Sequence, residues 1–187
     1  MNPRKKPPEN GRRAIFFDRD GVLNQARVVD RLPFSPRTIE EFVLYPEAKA
    51  LLATLRQRGF LNIVVTNQPE VGRGTLKQEV VEAMHRHLAD HLPVDQICVC
   101  YDSGGESSSF RRKPEPGMLL EAAAALTIDL PASFVVGDRW KDIEAGKRAG
   151  CTTVWLDRGY AEPMRSNPDH RVESLDEAVR WILSRTS

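Results

Sequence analysis

The chain has 187 residues, 41% of them apolar and 28% charged, which fits one soluble globular domain with a sizeable core. The formal net charge of +1 gives no electrostatic reason to expect nucleic acid or an anionic membrane as a partner. No apolar run approaches the ~18 residues that cross a bilayer, and an odd number of cysteines does not suit a disulfide framework. We therefore expect a cytoplasmic protein.

The N-terminal segment, residues 1–12, is rich in proline, lysine and arginine and lacks the apolar stretch of a secretory signal. We predict that it is a disordered basic tail, with a nucleic-acid-binding arm as the less favoured alternative. Residues 13–187 are then predicted to form a single domain.

Strand and helix patterns alternate along this domain. Short apolar runs predict five strands, at residues 13–17, 61–66, 96–101, 133–137 and 152–156. Helical spacing predicts helices at residues 46–59, 75–92, 116–126, 140–149 and 174–184, with capping boxes at Thr75–Gln78 and Ser174–Glu177. Buried strands that alternate with helices predict an α/β fold, a doubly wound (Rossmann-like) parallel sheet of about five strands with helices on both faces.

Polar side chains follow four of these strands. They are Asp18 and Asp20 after the first, Thr66 and Asn67 after the second, Arg112 and Lys113 in the loop after the third, and Asp138 and Asp142 after the fourth. Because the carboxyl ends of parallel strands share one edge of the sheet, we expect these side chains to meet. The mixture of carboxylates, hydroxyl, amide and cations predicts a site for a phosphate and a hard metal ion.

The residue types suggest a division of tasks. An attacking carboxylate and a phosphate ester repel each other, and Mg²⁺ held by Asp18 and Asp138 would reduce that repulsion. Lys113 could neutralise the nucleophile and the phosphoryl oxygens, while Thr66 donates to those oxygens. Asp20 then remains to protonate the leaving oxygen and later to take a proton from water. Singly, each residue is ordinary for a turn or a helix cap; their joint occurrence at successive strand ends favours a site.

This constellation resembles the haloacid dehalogenase (HAD) superfamily of phosphohydrolases over nearly all of residues 13–184. The four motifs read Asp18-Arg19-Asp20-Gly21, Thr66-Asn67, Lys113-Pro114 and Gly137-Asp138-Arg139-Trp140-Lys141-Asp142. An acid at the second position of the first motif favours a phosphatase over a dehalogenase.

The resemblance also implies a role for each site residue. Asp18 would be the nucleophile that forms an aspartyl-phosphate, and Asp20 the general acid and base, with its backbone carbonyl on Mg²⁺. The remaining roles would fall to Thr66, Asn67 and Lys113 as phosphate-binding residues, to Asp18 and Asp138 as metal ligands, and to Asp142 as their support.

Only 46 residues lie between Thr66 and Lys113, which leaves no room for a large cap domain. Within the superfamily the chain is most similar to the capless heptose-bisphosphate phosphatase and histidinol-phosphatase group. The similarity implies a Mg²⁺-dependent monomeric phosphatase acting on a small phosphomonoester, with a heptose bisphosphate as the leading substrate and histidinol phosphate as the alternative. It also implies that Arg112 contacts substrate phosphate. A polynucleotide end phosphatase and a non-catalytic domain are the less favoured alternatives.

Many members of this group bind zinc through four cysteine and histidine ligands just before the Arg-Lys-Pro motif. The aligned positions here are Cys100, Asp102, Ser109 and Arg111, only one of which is a thiol. We therefore predict no zinc, and a mobile serine- and glycine-rich loop over residues 103–109.

Three histidines of one predicted helix, His85, His87 and His91, are interpreted as part of a solvated helix face rather than as a metal site.

Overall fold

The computed structural model describes residues 11–105 and 108–186 of the chain. In chain order its elements are β1 (Arg13–Phe17), β2 (Arg27–Val29), β3 (Leu32–Phe34), α1 (Ala48–Gln57), β4 (Phe60–Asn67), α2 (Pro69–Gly72), α3 (Gln78–His91), β5 (Gln96–Cys100), α4 (Gly117–Leu126), β6 (Phe134–Gly137), α5 (Trp140–Ala149), β7 (Thr152–Leu156), β8 (His170–Val172) and α6 (Leu175–Ser184). Six of the strands form one parallel sheet in the order β5-β4-β1-β6-β7-β8.

The sheet is covered on both faces, as the apolar strand patterns predict. Ile15 and Phe17 of β1 lie in one core cluster, which also contains residues of α1, α3 and α6. Ala14 and Phe16 lie in the other, with residues of α4 and α5. The doubly wound α/β fold is confirmed, with β1 buried at its centre. All the strands that carry predicted site residues therefore end at one edge of the sheet.

Besides the short helix α2, two short features of the fold are not among the predicted elements. The sixth strand, β8, pairs with β7 at the edge of the sheet. Its sequence, His-Arg-Val, has no apolar run, so only the tertiary pairing makes it a strand. The second feature is an antiparallel hairpin of β2 and β3.

Of the two predicted capping boxes, the one at Thr75 and Gln78 is wrong. Helix α3 begins at Gln78, and the hydroxyl of Thr75 instead donates to the carbonyl of Glu70 at 3.1 Å. At Ser174 the prediction holds for the cap itself, because its hydroxyl oxygen accepts the backbone N–H of Glu177 at 3.2 Å. The carboxylate of Glu177 accepts the N–H of Glu173 rather than that of Ser174.

The β2–β3 hairpin covers part of the strand-end edge of the sheet. Leu32, Phe34 and Ser35 line the cleft above the strand ends. The hairpin tip is fixed by the carbonyl of Arg31, which accepts the N–H of Ala161 at 2.9 Å. In the described part of the chain, the cover of the cleft is therefore a small hairpin and not a separate domain.

Most of the predicted basic tail, residues 1–10, lies outside the described residues. Arg12 is described, and its backbone bonds with Thr127 and Asp129, each at 2.9 Å. None of the described helices is both long and apolar enough to span a membrane.

Candidate active site

A buried lysine lies between two buried carboxylates at the centre of the strand-end edge. The ammonium nitrogen of Lys113 is 2.7 Å from Oδ1 of Asp18 and 2.6 Å from Oδ1 of Asp142, and it also donates to the carbonyl of Val65. Only 3% of the Lys113 surface is exposed. The predicted nucleophile and the predicted phosphate-binding lysine are thus in direct contact.

This arrangement shifts the pKa of both partners. Burial raises the pKa of Asp18 to about 6, although the charge of Lys113 opposes the rise. Burial also opposes the charge of Lys113, but Asp142 and Asp18 together raise the pKa of that ammonium group above its usual value. Near neutral pH the lysine is charged and Asp18 is available as a carboxylate.

Asp138 lies beside Asp18 and Asp142, and of these carboxylates it is the one that a bound cation would stabilise most. It is 3% exposed, and neither of its carboxylate oxygens has a hydrogen-bond partner among the described residues. The hydroxyl of Tyr160 lies near enough to act against the rise in the pKa of Asp138, but it does not pair with either oxygen in hydrogen-bonding geometry. Burial, together with the charges of Asp18 and Asp142, raises the pKa of Asp138 well above its usual range.

These features fit a divalent cation. Ligand atoms of Asp18, Asp138 and Asp142 lie within 4.8 Å of one another. Two orphaned, buried carboxylate oxygens are the hard ligands that Mg²⁺ prefers. Asp142 already accepts the Lys113 ammonium group and the backbone N–H of Arg139, so it suits a supporting role better than that of a ligand. Asp18 and Asp138 are therefore the carboxylates suited to hold the ion.

The backbone directly after the two aspartates of the first motif is shaped around this site. Gly21 has φ of 86°, a conformation that favours glycine. A Cβ atom there would stand 1.9 Å from Oδ2 of Asp138. Any side chain at this position would displace the carboxylate, so Gly21 allows Asp138 to approach the first motif.

Asp20 is held on several sides. Arg19 donates to both of its carboxylate oxygens, at 3.1 and 3.0 Å. Asn24, Ser35 and Gln68 each donate to the same carboxylate at 2.9 Å. Burial opposes the charge of Asp20, but Arg19 and the hydrogen bonds hold its pKa below the usual value. Asp20 is therefore ionised and fixed in orientation in this structure.

The second motif supports the site in two ways. Thr66 is 1% exposed, and its hydroxyl oxygen accepts the amide of Gln68, so its own proton remains available to a ligand. The side-chain NH₂ of Asn67 donates to the backbone carbonyl of Lys113, and its side-chain oxygen accepts the backbone N–H of Lys113. Its side chain thus braces the third motif, although Asn67 also lines the cleft.

Arg112 is positioned by the loop that precedes it. Its guanidinium donates to the carbonyl of Asp102 at 2.5 Å. The carboxylate of Asp102 accepts the backbone N–H of Gly104 at 2.7 Å and that of Ser109. Asp102 thus organises the loop at one of the four positions where zinc ligands were considered. The absence of zinc stays a prediction, as does the mobility of the loop.

The cleft above these residues has a volume of about 310 Å³ and a basic rim. Its cations include Arg73, Arg112, Arg139 and Lys141, besides the buried Lys113. Arg112 and Lys141 also line a second, adjoining recess of about 420 Å³. Burial and the neighbouring charges of Arg139 and Arg112 lower the pKa of Lys141. An anionic group at this rim would relieve that mutual repulsion.

Sequence reasoning assigned no role to Arg19, Gln68 or Lys141. An arginine between two aspartates suggests a solvated charge, yet Arg19 is fully buried. The prediction of a solvated helix face is wrong for His85, which is half-buried and whose Nε2 lies 3.1 Å from Nη1 of Arg19. Helical spacing alone does not reveal such contacts, since they join α3 to the first motif across 66 positions of sequence.

Known proteins with similar sequences match most of the length of this chain. A family model described as HAD-hyrolase-like matches residues 110–178. The D-glycero-beta-D-manno-heptose-1,7-bisphosphate 7-phosphatase of Mesorhizobium japonicum is 36% identical over 159 residues, covering 79% of this chain and 70% of that protein. The protein of the same name from Escherichia coli K12 is 34% identical and covers 91% of this chain and 88% of its own length.

Solved structures agree with the sequence relatives. The D,D-heptose 1,7-bisphosphate phosphatase from B. bronchiseptica, complexed with magnesium and phosphate, matches with a TM-score of 0.74 at 27% identity, covering 92% of this chain and 99% of that chain. A putative HAD-like phosphatase from Mesorhizobium loti matches with a TM-score of 0.72 at 30% identity, covering 98% and 91%. The chain therefore belongs to the haloacid dehalogenase superfamily, among the phosphatases that include the heptose-bisphosphate phosphatases.

Proposed function

We propose that this protein is a Mg²⁺-dependent phosphatase that hydrolyses a small sugar bisphosphate through an aspartyl-phosphate on Asp18. One observation carries the proposal. Asp18 is buried between the charged Lys113 on one side and the unpartnered carboxylate of Asp138 on the other. A nucleophilic carboxylate, a fixed cation for phosphoryl oxygens and hard ligands for a metal ion thus share one small space.

In the first half-reaction, a carboxylate oxygen of Asp18 attacks phosphorus, and the bond from phosphorus to the ester oxygen breaks. The electron pair leaves with that oxygen, which takes a proton from Asp20. Because Asp20 is ionised in this structure, its proton has to arrive with the substrate, whose phosphate is partly protonated near neutral pH. The Thr66 hydroxyl and the Lys113 ammonium group stabilise the phosphoryl oxygens meanwhile.

In the second half-reaction, Asp20 as carboxylate takes a proton from water. The resulting hydroxide character allows the water oxygen to attack phosphorus of the aspartyl-phosphate, and the bond to Asp18 breaks. Inorganic phosphate and the Asp18 carboxylate are the products, and the proton left on Asp20 is released to solvent or passed to the next leaving oxygen. When bound at Asp18 and Asp138, Mg²⁺ would supply Lewis-acid screening of the charge between carboxylate and phosphate.

The rim supports a substrate with a second phosphate. Arg112 and Lys141 line both the cleft and the adjoining recess, so positive charge extends beyond the catalytic carboxylates to where a second anionic group could bind. The relatives named for heptose 1,7-bisphosphate have this substrate class in their names. Histidinol phosphate has a single phosphate and a cationic amine, which this basic rim would disfavour. A nucleic-acid end would need a wider basic surface.

The proposed chemistry is tested by phosphate release from p-nitrophenyl phosphate with and without Mg²⁺. We expect Asp18→Asn to lose at least about a thousandfold in kcat, since the amide is a poor nucleophile. Asp90→Asn is the matched control, because Asp90 is exposed on α3. Acid quenching should trap phosphate on Asp18 of the wild-type enzyme, detectable by peptide mass spectrometry. Full activity of Asp18→Asn would refute the nucleophile assignment.

The substrate is tested by comparing kcat/KM for a heptose 1,7-bisphosphate, histidinol phosphate and a DNA 3′-phosphate end. We expect the sugar bisphosphate to be preferred by at least about tenfold. A preference for either of the other two would transfer the proposal to that substrate.

We also propose that the enzyme is a cytoplasmic monomer. Its three cysteines are free and buried, which is consistent with a reducing compartment. Analytical ultracentrifugation should give the mass of one 21.1 kDa chain, and a dimer mass would contradict the monomer.

A further inference from the structure

Arg19 is the largest fully buried side chain among the described residues, and its charge has an unusual set of partners. Its Nε and Nη2 donate to the two carboxylate oxygens of Asp20. Its guanidinium also lies over the ring of Phe42, at 5.1 Å from the centroid. This leaves the remaining terminal nitrogen, Nη1, facing helix α3, where His85 meets it at 3.1 Å.

The chemistry of the two groups fixes the direction of this bond. A guanidinium has donors only and does not lose its proton in proteins, so Nε2 of His85 has to be the acceptor. The imidazole is therefore neutral, with its proton on Nδ1. Burial and the charge of Arg19 lower the pKa of His85 to about 4, which agrees with the neutral form.

Neither Arg19 nor His85 lines the cleft. The bond between them acts on the site only through Asp20, which the guanidinium holds by two parallel hydrogen bonds. Without an acceptor at residue 85, a buried N–H of Arg19 would lack a partner, and the guanidinium would be free to turn out of the plane of the carboxylate. Proton transfer to the leaving oxygen depends on the orientation of that carboxylate.

We propose that His85 is a positioning residue of the phosphatase reaction, whose neutral Nε2 fixes Arg19 and thereby the carboxylate of Asp20. The inference rests on the proposed function, because it concerns the step that Asp20 performs. It goes beyond the four motifs, since His85 lies on α3, outside all of them. The role requires an acceptor at the place of Nε2 and no charge on the imidazole.

The test compares two substitutions of His85 in steady-state kinetics with p-nitrophenyl phosphate and Mg²⁺. Glutamine can place a side-chain oxygen near the position of Nε2, whereas leucine has a similar size and no acceptor. We expect His85→Leu to lower kcat by about tenfold or more with KM within about twofold, since orientation of the acid is lost and substrate binding is kept. We expect His85→Gln to retain kcat within about threefold. His91→Leu, the same change at an exposed position of α3, is expected to match the wild type.

A second measurement observes the contact without catalysis. In protein labelled with ¹⁵N-histidine, the His85 resonances near neutral pH should be those of a neutral ring protonated on Nδ1. A protonated ring, or equal losses of kcat in His85→Gln and His85→Leu, would overturn the positioning role while the phosphatase function stands. Absence of phosphatase activity in the wild type on every phosphoester would instead overturn the proposed function and this role together.

Discussion

The floor and the rim of the cleft are built in different ways. The floor consists of Asp18, Asp20, Lys113, Asp138 and Asp142. Its residues lie just after strand ends, in the loop before α4 and in the first turn of α5, and four of the five side chains are buried. The rim, which consists of Arg73, Arg112, Arg139 and Lys141, is half-buried or exposed, and so is Asp102, the loop residue that holds Arg112. Within the floor, Lys113 pairs with Asp18 and Asp142, whereas at the rim Arg73 and Arg112 donate to backbone carbonyls of the loop. The floor is thus suited to fixed chemistry and the rim to adjustable recognition.

The largest expected difference between the two regions concerns their lysines. Lys113→Met would leave Asp18 and Asp142 buried without a cation, and we expect a loss of about 3 kcal/mol in the free energy of unfolding. Phosphatase activity should fall at least about a thousandfold. Lys141→Met, the same change at the rim, should alter stability by less than about 0.5 kcal/mol. Urea unfolding checks both, and equal destabilisation by the two variants would contradict the contrast.

If the floor binds a cation, the free energy of unfolding should be reduced when the cation is absent. In Asp138→Asn the unpartnered charge is removed, and we expect the metal-free protein to become more stable near neutral pH by about 1–3 kcal/mol. Addition of Mg²⁺ should raise the melting temperature of the wild type but not that of Asp138→Asn. If the variant keeps the full Mg²⁺-dependent shift in thermal unfolding, Asp138 is not a metal ligand.

The same loss of stability should appear in the pH dependence of unfolding of the metal-free wild type. The folded-state pKa of Asp18 is about 6 against an ordinary value of 3.8, so the folded protein binds this proton more tightly than the unfolded chain does. Its contribution to stability is then present below about pH 4 and is lost as pH rises through about 6. The measurement is chemical denaturation from pH 4 to 7 with EDTA, where Asp18→Asn should reduce the loss. A wild type whose stability rises over the whole interval, with no difference in the variant, would contradict the assigned pKa.

Much of the floor was predictable from the sequence because Asp18, Asp20 and Asp138 come at or just after the ends of apolar runs. Strand ends in a parallel sheet meet at one edge whatever the details of packing, so Asp18, Thr66 and Asp138 could be brought together by topology alone. Arg19 and His85 could not, because their contact depends on how α3 packs against the first motif. Nothing in local composition distinguishes a buried arginine from a solvated one.

The rim was less predictable for a related reason. The position of Arg112 depends on a loop whose conformation is set by one carboxylate, that of Asp102, and by backbone donors at residues 104 and 109. Such contacts leave no periodic signal in the sequence. The short strand β8 was not predicted for a similar reason, because its pairing with β7, and not its own composition, makes it a strand.

At the rim, removal of Arg112 should weaken binding rather than chemistry. We expect Arg112→Ala to raise KM for a sugar bisphosphate by about tenfold, with little change in kcat. This is the effect on binding of losing one charged hydrogen bond. Arg111→Ala is the matched control, because Arg111 pairs with Glu121 and does not line the cleft. Steady-state kinetics with the bisphosphate and with p-nitrophenyl phosphate separates the effects, since the latter has no second phosphate. Equal KM changes on both substrates would argue against a second-phosphate contact.

The smallest expected effect tests whether Asp102 acts only through Arg112. In Asp102→Asn one acceptor oxygen is replaced by a donor, so one of the bonds to Gly104 and Ser109 is lost and the loop loosens. KM for the bisphosphate should rise about two- to fivefold, with kcat and the urea midpoint close to those of the wild type. In the Arg112→Ala background the same substitution should add almost nothing, because the residue that it positions is gone. If the two substitutions instead raise KM independently, so that their effects multiply in the double variant, Asp102 shapes the cleft by another route. The cleft would then have two separate determinants of substrate recognition where the structure indicates one.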